Sequence, residues 1–393
     1  MSRRAPLTTE STEGNNAVRD AIKVGIVGAH AARGWGRAVH LPALSVLRDY
    51  EITAVAGTSR ESARAAADVW GAAHAFDDPF ALMAHPNVDL VVIAVQLPNR
   101  DGLVDAAIAA GKHVYCEWPL ALTAASADAF RAQAEAAGVR HAVGLQSRNH
   151  PAIRHLRDLV ADGRVGDVLS TTLSYSLSAP DVWSQRYAAL FDATKGVNHL
   201  AVVAGHSLDM FRSAVGDFIE LSATLATRIT SVTIEETAER IEVTSPDQIV
   251  VGGVLESGAA ASAHFMTGGP AGDGFRIEIH GRAGRLVLSA ADESLVGPEF
   301  TLYGSGSAGT PVPLPVPTRR RLPDAPVAVG NVADVYTELA HGIRTGHPVT
   351  PDFGTAVATH RLLGAIRQAA ITGTRQHLSP SRAYPCPCHD GDD

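Results

Sequence analysis

The chain has 393 residues, of which 46% are hydrophobic and 19% charged, with a formal net charge of −8. That length supports two domains with well-buried cores, the balance is that of an ordinary globular protein, and the negative charge argues against nucleic acid as the main partner. No apolar run approaches the roughly 20 residues of a membrane span, so no membrane association is expected and the expected setting is the cytoplasm. Arg3-Arg4 is followed by the polar run Thr8-Thr9-Glu10-Ser11-Thr12-Glu13-Gly14, where an export signal requires apolar residues. Residues 1–20 therefore read as a disordered arm. Cys386 and Cys388, in Pro385-Cys386-Pro387-Cys388-His389-Asp390, lack further ligands at a fixed spacing, so residues 377–393 read as a disordered tail and no metal site is expected.

Lys23-Val24-Gly25-Ile26-Val27-Gly28 is a β-branched run that stops at glycine, and Ala38, Leu41, Leu44 and Leu47 follow with helical spacing. The loop between them, Gly28-Ala29-His30-Ala31-Ala32-Arg33-Gly34-Trp35-Gly36, is longer than Gly-x-Gly-x-x-Gly and has His30 at the second glycine. In a doubly wound sheet such a loop lets a cofactor pyrophosphate approach backbone N–H groups, which makes Gly28, His30, Arg33, Gly34 and Trp35 candidate contacts. Alone, the same loop also reads as a plain glycine-rich turn. Residues 51–57 form a second strand and 60–70 an alanine-rich helix. The nearly continuous apolar run 89–95 is a further strand, and a helix over about 100–110 follows it. Val114 and Tyr115 then make another strand, which Pro119 ends. Alternating strands and helices with unbroken apolar strands imply a parallel sheet covered on both faces. The end of the second strand reports the dinucleotide, because a carboxylate there accepts from the ribose 2′-hydroxyl while an arginine accommodates a 2′-phosphate. Here it reads Thr58-Ser59-Arg60, with no carboxylate until Glu61. Ser59 and Arg60 thus favour NADP(H) over NAD(H); the plainer reading of Arg60 is a solvated helix-start residue.

Lys112-His113-Val114-Tyr115-Cys116-Glu117-Trp118-Pro119-Leu120 resembles the Gly-Lys-His-Val-x-x-Glu-Lys-Pro-Leu signature of the Gfo/Idh/MocA oxidoreductases. The resemblance runs from about 21 to 376 and implies an α/β architecture. Residues 21–147 would be an N-terminal Rossmann domain, a doubly wound parallel sheet. Residues 148–376 would be a C-terminal α+β domain with a large, open, mostly antiparallel sheet that often makes a homodimer or homotetramer. In that family the lysine of Glu-Lys-Pro sits beside the nicotinamide and helps proton transfer; the matching residue here is Trp118. Pro98-Asn99, led by Gln96, matches a cofactor-side turn, and Glu117 belongs to the same site. The long first loop and the Glu-Trp pair look most like the Gal80-like branch, whose namesake binds a dinucleotide as a regulatory protein.

In the second half a helix over about 123–137 and a short strand at 140–144 precede Leu145-Gln146-Ser147-Arg148-Asn149-His150-Pro151. There the resemblance implies entry to the second domain, with Arg148 a candidate substrate contact. A helix over about 150–162 follows. The alternating runs near 249–255 and 275–281 read as strands of a largely antiparallel sheet. Residues 305–330 read as a proline-rich loop, followed by helices near 331–345 and 353–373. Aligning Gly205-His206-Ser207-Leu208-Asp209 on the family pattern leaves Val202 where an aspartate stands and keeps only the histidine. His206 is the expected acid/base, because imidazole titrates near neutrality. Lys195, Asp192 and Tyr187 are candidate catalytic substitutes and His199 a candidate substrate contact; their plainer readings are surface charges, packing and a core histidine. Trp118 is a candidate stacking surface for a sugar or nicotinamide, or else a core aromatic. The expected function is hydride transfer between a nicotinamide and a hydroxyl or carbonyl of a sugar-like or natural-product substrate. The alternatives are a catalytically silent dinucleotide-binding regulator and a non-redox enzyme that retains the dinucleotide.

Overall fold

The structure, a computed structural model, describes residues 20–100, 102–269, 271–294, 297–306, 309–317 and 325–379. Residues 1–19 and 380–393 of the expected arm and tail, with Cys386 and Cys388, lie outside the described residues.

The first sheet has six parallel strands: β1 (Ile22–Val27), β2 (Tyr50–Ala56), β3 (His74–Phe76), β4 (Leu90–Ile93), β5 (His113–Cys116) and β6 (His141–Val143). They stand in the order β3-β2-β1-β4-β5-β6, so the winding reverses between β1 and β4. All four residues of β4 are buried, as a strand covered on both faces requires. Helices α1 (Leu41–Ser45), α2 (Arg60–Trp70), α3 (Pro79–Met83), α4 (Leu103–Ala109) and α5 (Ala124–Ala136) belong to this half. Ser59 caps α2 by accepting from Ser62 N–H, and Gly71 ends it in the left-handed region. One π-turn, Gly36–His40, leads into α1. The helix expected to run on to Leu47 therefore ends at Ser45.

The second half opens with α6 (Pro151–Ala161) and β7 (Val168–Leu177), then β8 (Val182–Trp183), α7 (Gly205–Val215) and β9 (Phe218–Ala226). It continues through β10 (Ser231–Ile234), β11 (Arg240–Glu242), β12 (Gln248–Leu255), β13 (Ala260–Thr267), β14 (Gly274–Gly281), β15 (Gly284–Ala290), β16 (Thr301–Gly306) and β17 (Val312–Leu314). Helices α8 (Val327–Thr345) and α9 (Phe353–Thr372) and the short β18 (Gln376–His377) complete it. Nine strands form one sheet in the order β17-β16-β15-β14-β7-β13-β12-β9-β18. β7 and β13 run parallel and every other neighbouring pair is antiparallel. β8, β10 and β11 make a separate three-stranded sheet with its own apolar cluster around Phe191, Val232 and Val243. The expected loop over 305–330 is corrected at both ends, since β17 pairs with β16 inside it and α8 begins at Val327.

The C-terminal helices join the two halves. Val332, Val335, Tyr336 and Leu339 of α8 pack in one cluster with Val24, Ile26 and Leu90 of the first sheet. α9 starts on a reciprocal Asp352–Thr355 capping box and stops at Gly373, whose φ is 67°. His360 of α9 lies over Trp118 with ring centroids 4.5 Å apart, and its Nε2 accepts from Ala121 N–H at 3.4 Å. Burial first, then Arg367, lowers its pKa from 6.5 to about 4. The unfolded chain therefore binds the proton more readily than the folded one between those values. Its contribution is complete above pH 6.5 and is lost as pH falls toward 4. We predict an acid-side fall in melting temperature across that interval, smaller in His360→Asn; an equal fall in that variant contradicts it.

Among the described residues no helix is long and apolar enough to cross a membrane.

Candidate functional site

The switch between β1 and β4 sets the position of the site. Gly28 follows β1 with φ 92°, a value that favours glycine, and a Cβ there would lie 2.7 Å from Val95 Cγ1. The chain thus brings the first loop and the end of β4 together. Gly34, at φ 88°, has open space where a Cβ would stand. Within the loop His30 is used structurally: its Nδ1 accepts from Ala32 N–H at 3.0 Å and its Nε2 lies 3.3 Å from Arg33 Nε. Trp70 Nε1 donates to the His30 carbonyl at 3.2 Å and ties α2 to the loop. Trp35 leaves a buried Nε1–H without a partner among the described residues. A glycine approach at a reversal of strand order, an open loop rim and an orphaned donor fit a dinucleotide across this edge. Arg33 is exposed on the loop, Ser59 and Arg60 lie at the end of β2, and Gln96 and Asn99 are exposed in the turn after β4. Pro98 lies in that same turn.

At the end of β5, Glu117 is held by residues that sequence reading missed. Glu117 Oε1 is 2.9 Å from His40 Nε2, and His40 Nδ1 is 2.8 Å from the Tyr336 hydroxyl. A carboxylate oxygen accepts, so His40 donates to Glu117 from Nε2. His40 has no exposed surface, and the Glu117 side chain keeps 15% of its own. Burial, with Glu117 among the lesser causes, holds the Tyr115 and Tyr336 hydroxyls well above their ordinary range. Gly144 makes room for the carboxylate, because a Cβ there would lie 2.5 Å from Glu117 Oε2. Arg100, 6% exposed, donates to the Val95, Glu117 and Pro119 carbonyls and clamps the ends of β4 and β5. The sequence signals available for these were a histidine beside Leu41-Pro42 and an arginine after Pro98-Asn99; neither has a spacing that announces its partner.

His206 stands in the first turn of α7, directly after a π-turn at Leu200–Ala204, a device that often marks functional sites. It is 6% exposed and its Nδ1 has no hydrogen-bond partner among the described residues. Burial lowers its pKa, opposed by the Glu117 and Asp209 charges. The ring is therefore neutral near pH 7 and keeps a lone pair able to take a proton.

Two expected ligand contacts, Trp118 and Arg148, have partners within the protein. Trp118 is 6% exposed, donates from Nε1 to the Ala201 carbonyl at 2.8 Å, and lies so close over Gly205 that a Cβ there would be 2.8 Å from Nε1. With His360 against it as well, the indole packs the interior instead of offering a face for stacking. Arg148 forms a two-pronged pair with Asp209, at 2.8 and 2.5 Å. Asp209 is 1% exposed, so Arg148 anchors α7 through it. The three catalytic substitutes remain within their own segment. Asp192 Oδ1 accepts from the Thr194 N–H and hydroxyl, which lowers its pKa. Lys195 is exposed, and Tyr187 is exposed beneath Arg186, whose guanidinium carbon sits 4.6 Å from the ring centroid. No hydrogen bond or ring contact described joins them to His206 or Glu117. His199 is buried and its Nδ1 lies 3.3 Å from Thr267 Oγ1. Among the described residues no group of three or more His, Cys, Asp or Glu could hold a metal.

Two family models match the two halves: the NAD-binding Rossmann fold of the GFO_IDH_MocA oxidoreductase family over residues 22–145 and the Gal80p C-terminal domain over residues 151–290. D-apiose dehydrogenase from Paraburkholderia graminis is 30% identical over 73% of this chain and 78% of its own length. Dehydrogenase aclE from Aspergillus oryzae is 35% identical over 51% of this chain, a match that spans only 57% of aclE. In structure, a super-repressor mutant of Gal80p from Saccharomyces cerevisiae superposes with a TM-score of 0.80 at 22% identity, covering 91% of this chain and 98% of that one. The chain belongs to the Gfo/Idh/MocA oxidoreductase family, with a C-terminal domain like that of Gal80p.

Proposed function

We propose that the protein is a cytoplasmic NADP(H)-dependent oxidoreductase acting on a hydroxyl or carbonyl carbon of a sugar-like substrate, with His206 as the proton-transfer group. The observation that carries this reading is a buried, neutral imidazole with an unpartnered nitrogen, beside Glu117. A bound nicotinamide supplies the hydride acceptor or donor. The chain's own part is to take the hydroxyl proton at His206 during oxidation, return it during reduction, and exclude water with the packed Trp118 and α7. Glu117, held by His40, keeps a negative charge near His206 that favours the imidazolium formed when the proton arrives. The test is nicotinamide absorbance with NADP+ and a panel of polyols, sugars and glycosides; silence across a broad panel with nucleotide binding intact counts against the reading.

Arg60, exposed at the first position of α2 with no carboxylate at the end of β2, supports the phosphorylated cofactor. Arg60→Ala should weaken NADP+ binding about tenfold, as loss of one charge-assisted contact does, and leave NAD+ binding within about twofold. Equal effects on both nucleotides would remove the assignment.

A second reading, a dinucleotide-binding regulator, is favoured by Val202 and Trp118 at the positions of the family's aspartate and lysine. It is distinguished by nucleotide binding without turnover and by a protein partner whose binding depends on the nucleotide. For either reading, the open face of the nine-stranded sheet, on which Val250 is 44% exposed between the buried Ile249 and Val251, is the surface we assign to a homodimer or homotetramer.

A further inference from the structure

A small cavity lies beneath the three-stranded sheet, outside the His206–Glu117 cluster. It measures about 10 Å³, room for roughly one water molecule. It is lined by Asp247, Ser245, Thr267 and His199 together with apolar residues such as Trp183, Phe191 and Val243. Asp247 and Ser245 are 4% and 0% exposed. Asp247 is fixed in place, because its Oδ2 accepts from the backbone N–H groups of Arg228 and Ile229 at 2.7 and 2.6 Å. Its other oxygen is not satisfied. Asp247 Oδ1, Ser245 Oγ and Trp183 Nε1 are all buried without a hydrogen-bond partner among the described residues, and all three residues line this one cavity. Orphaned polar atoms in the interior cost free energy unless a ligand or water meets them.

The donor and acceptor pattern selects what fits. An ammonium group could donate to Asp247 but has no lone pair for the Trp183 N–H. A carboxylate or phosphate could accept from Trp183 but would face the Asp247 charge. A hydroxyl donates to one and accepts from the other, with Ser245 free to complete either role. His199, on the cavity wall, stands directly before the π-turn at Leu200–Ala204 that leads into α7, the helix that carries His206.

We propose that this cavity is a subsite for one hydroxyl of the substrate, held between Asp247 Oδ1 and Trp183 Nε1 at the end remote from the carbon that reacts at His206. This rests on the reading of the protein as an oxidoreductase of hydroxylated substrates and narrows it to molecules that carry a second, distal hydroxyl. A resident water offers the same chemistry, and the hydroxyl replaces it bond for bond.

Trp183→Phe removes the N–H and keeps the ring, so it decides the matter; Asp247→Asn also disturbs the Arg228 and Ile229 bonds and serves as support. With any substrate the panel reveals, Trp183→Phe should raise KM about tenfold with kcat and dinucleotide affinity unchanged, and an analogue lacking the distal hydroxyl should not sense the substitution. An unchanged KM means that the cavity holds water only and overturns the subsite, while leaving the oxidoreductase reading intact. If the wild type turns over nothing, calorimetry of the same panel against the protein–dinucleotide complex reads the subsite separately. Binding of a hydroxylated compound that weakens about tenfold in Trp183→Phe upholds it, and binding by neither protein, or equally by both, overturns it.

Discussion

Replacing His206 with asparagine should lower kcat by roughly 10²–10⁴-fold, the range expected for a positioned acid/base group, and leave dinucleotide affinity within about twofold. The asymmetry follows from its place. His206 belongs to α7, a helix of the second half, whereas the features that fit the dinucleotide lie on the first sheet. The pH dependence gives an independent check. Burial lowers the His206 pKa below 6.5, so the base form persists to lower pH than it would for a free imidazole. In the oxidising direction kcat/KM should therefore rise with pH along an acid limb centred below 6.5 and then level off. That limb should vanish in His206→Asn. An unchanged profile in the variant would move the proton-transfer role elsewhere.

Trp118→Ala should cost roughly 3–5 kcal/mol of stability, the range for losing a large aromatic from a core. Three contacts give way together: the Ala201 carbonyl loses its donor, the surface of Gly205 loses its cover, and His360 loses its ring neighbour. Trp118→Phe separates these effects, since it keeps most of the packing and leaves only the Ala201 carbonyl unpaired, at about 1–2 kcal/mol. Denaturant midpoints of the two variants measure the difference. Losses below about 1 kcal/mol in both would show that the indole is not packed as described and would return it to the list of ligand-facing groups.

Much of the first half is legible in the sequence because its signals are local. Strand β2 and helix α2 fall within a residue of their expected bounds, since Ser59 and Gly71 punctuate the helix chemically and the intervening alanines repeat on one face. The short pieces β3 and α3 carry too few residues to show a period and were not read. In the second half α9 is legible down to its last turn at Gly373. The three-stranded sheet is not, because β8 contributes two residues and its partners lie about fifty positions further along the chain.

The site is legible in type but not in detail. His206 and Glu117 stand out through motif spacing, yet the groups that orient Glu117 come from distant segments; His40 and Tyr336 are 296 positions apart. Trp118 illustrates the same limit. The sequence marks it as unusual, but its role depends on the Ala201 carbonyl, 83 positions away in a π-turn that no periodicity reveals.

The central claim is that a nicotinamide dinucleotide lies across the C-terminal ends of β1 and β4, against the Gly28 loop. Isothermal titration calorimetry of the purified full chain with NADP+ and NAD+ tests it most directly. The account predicts one site per chain, tighter for NADP+; absence of binding for both nucleotides would contradict it.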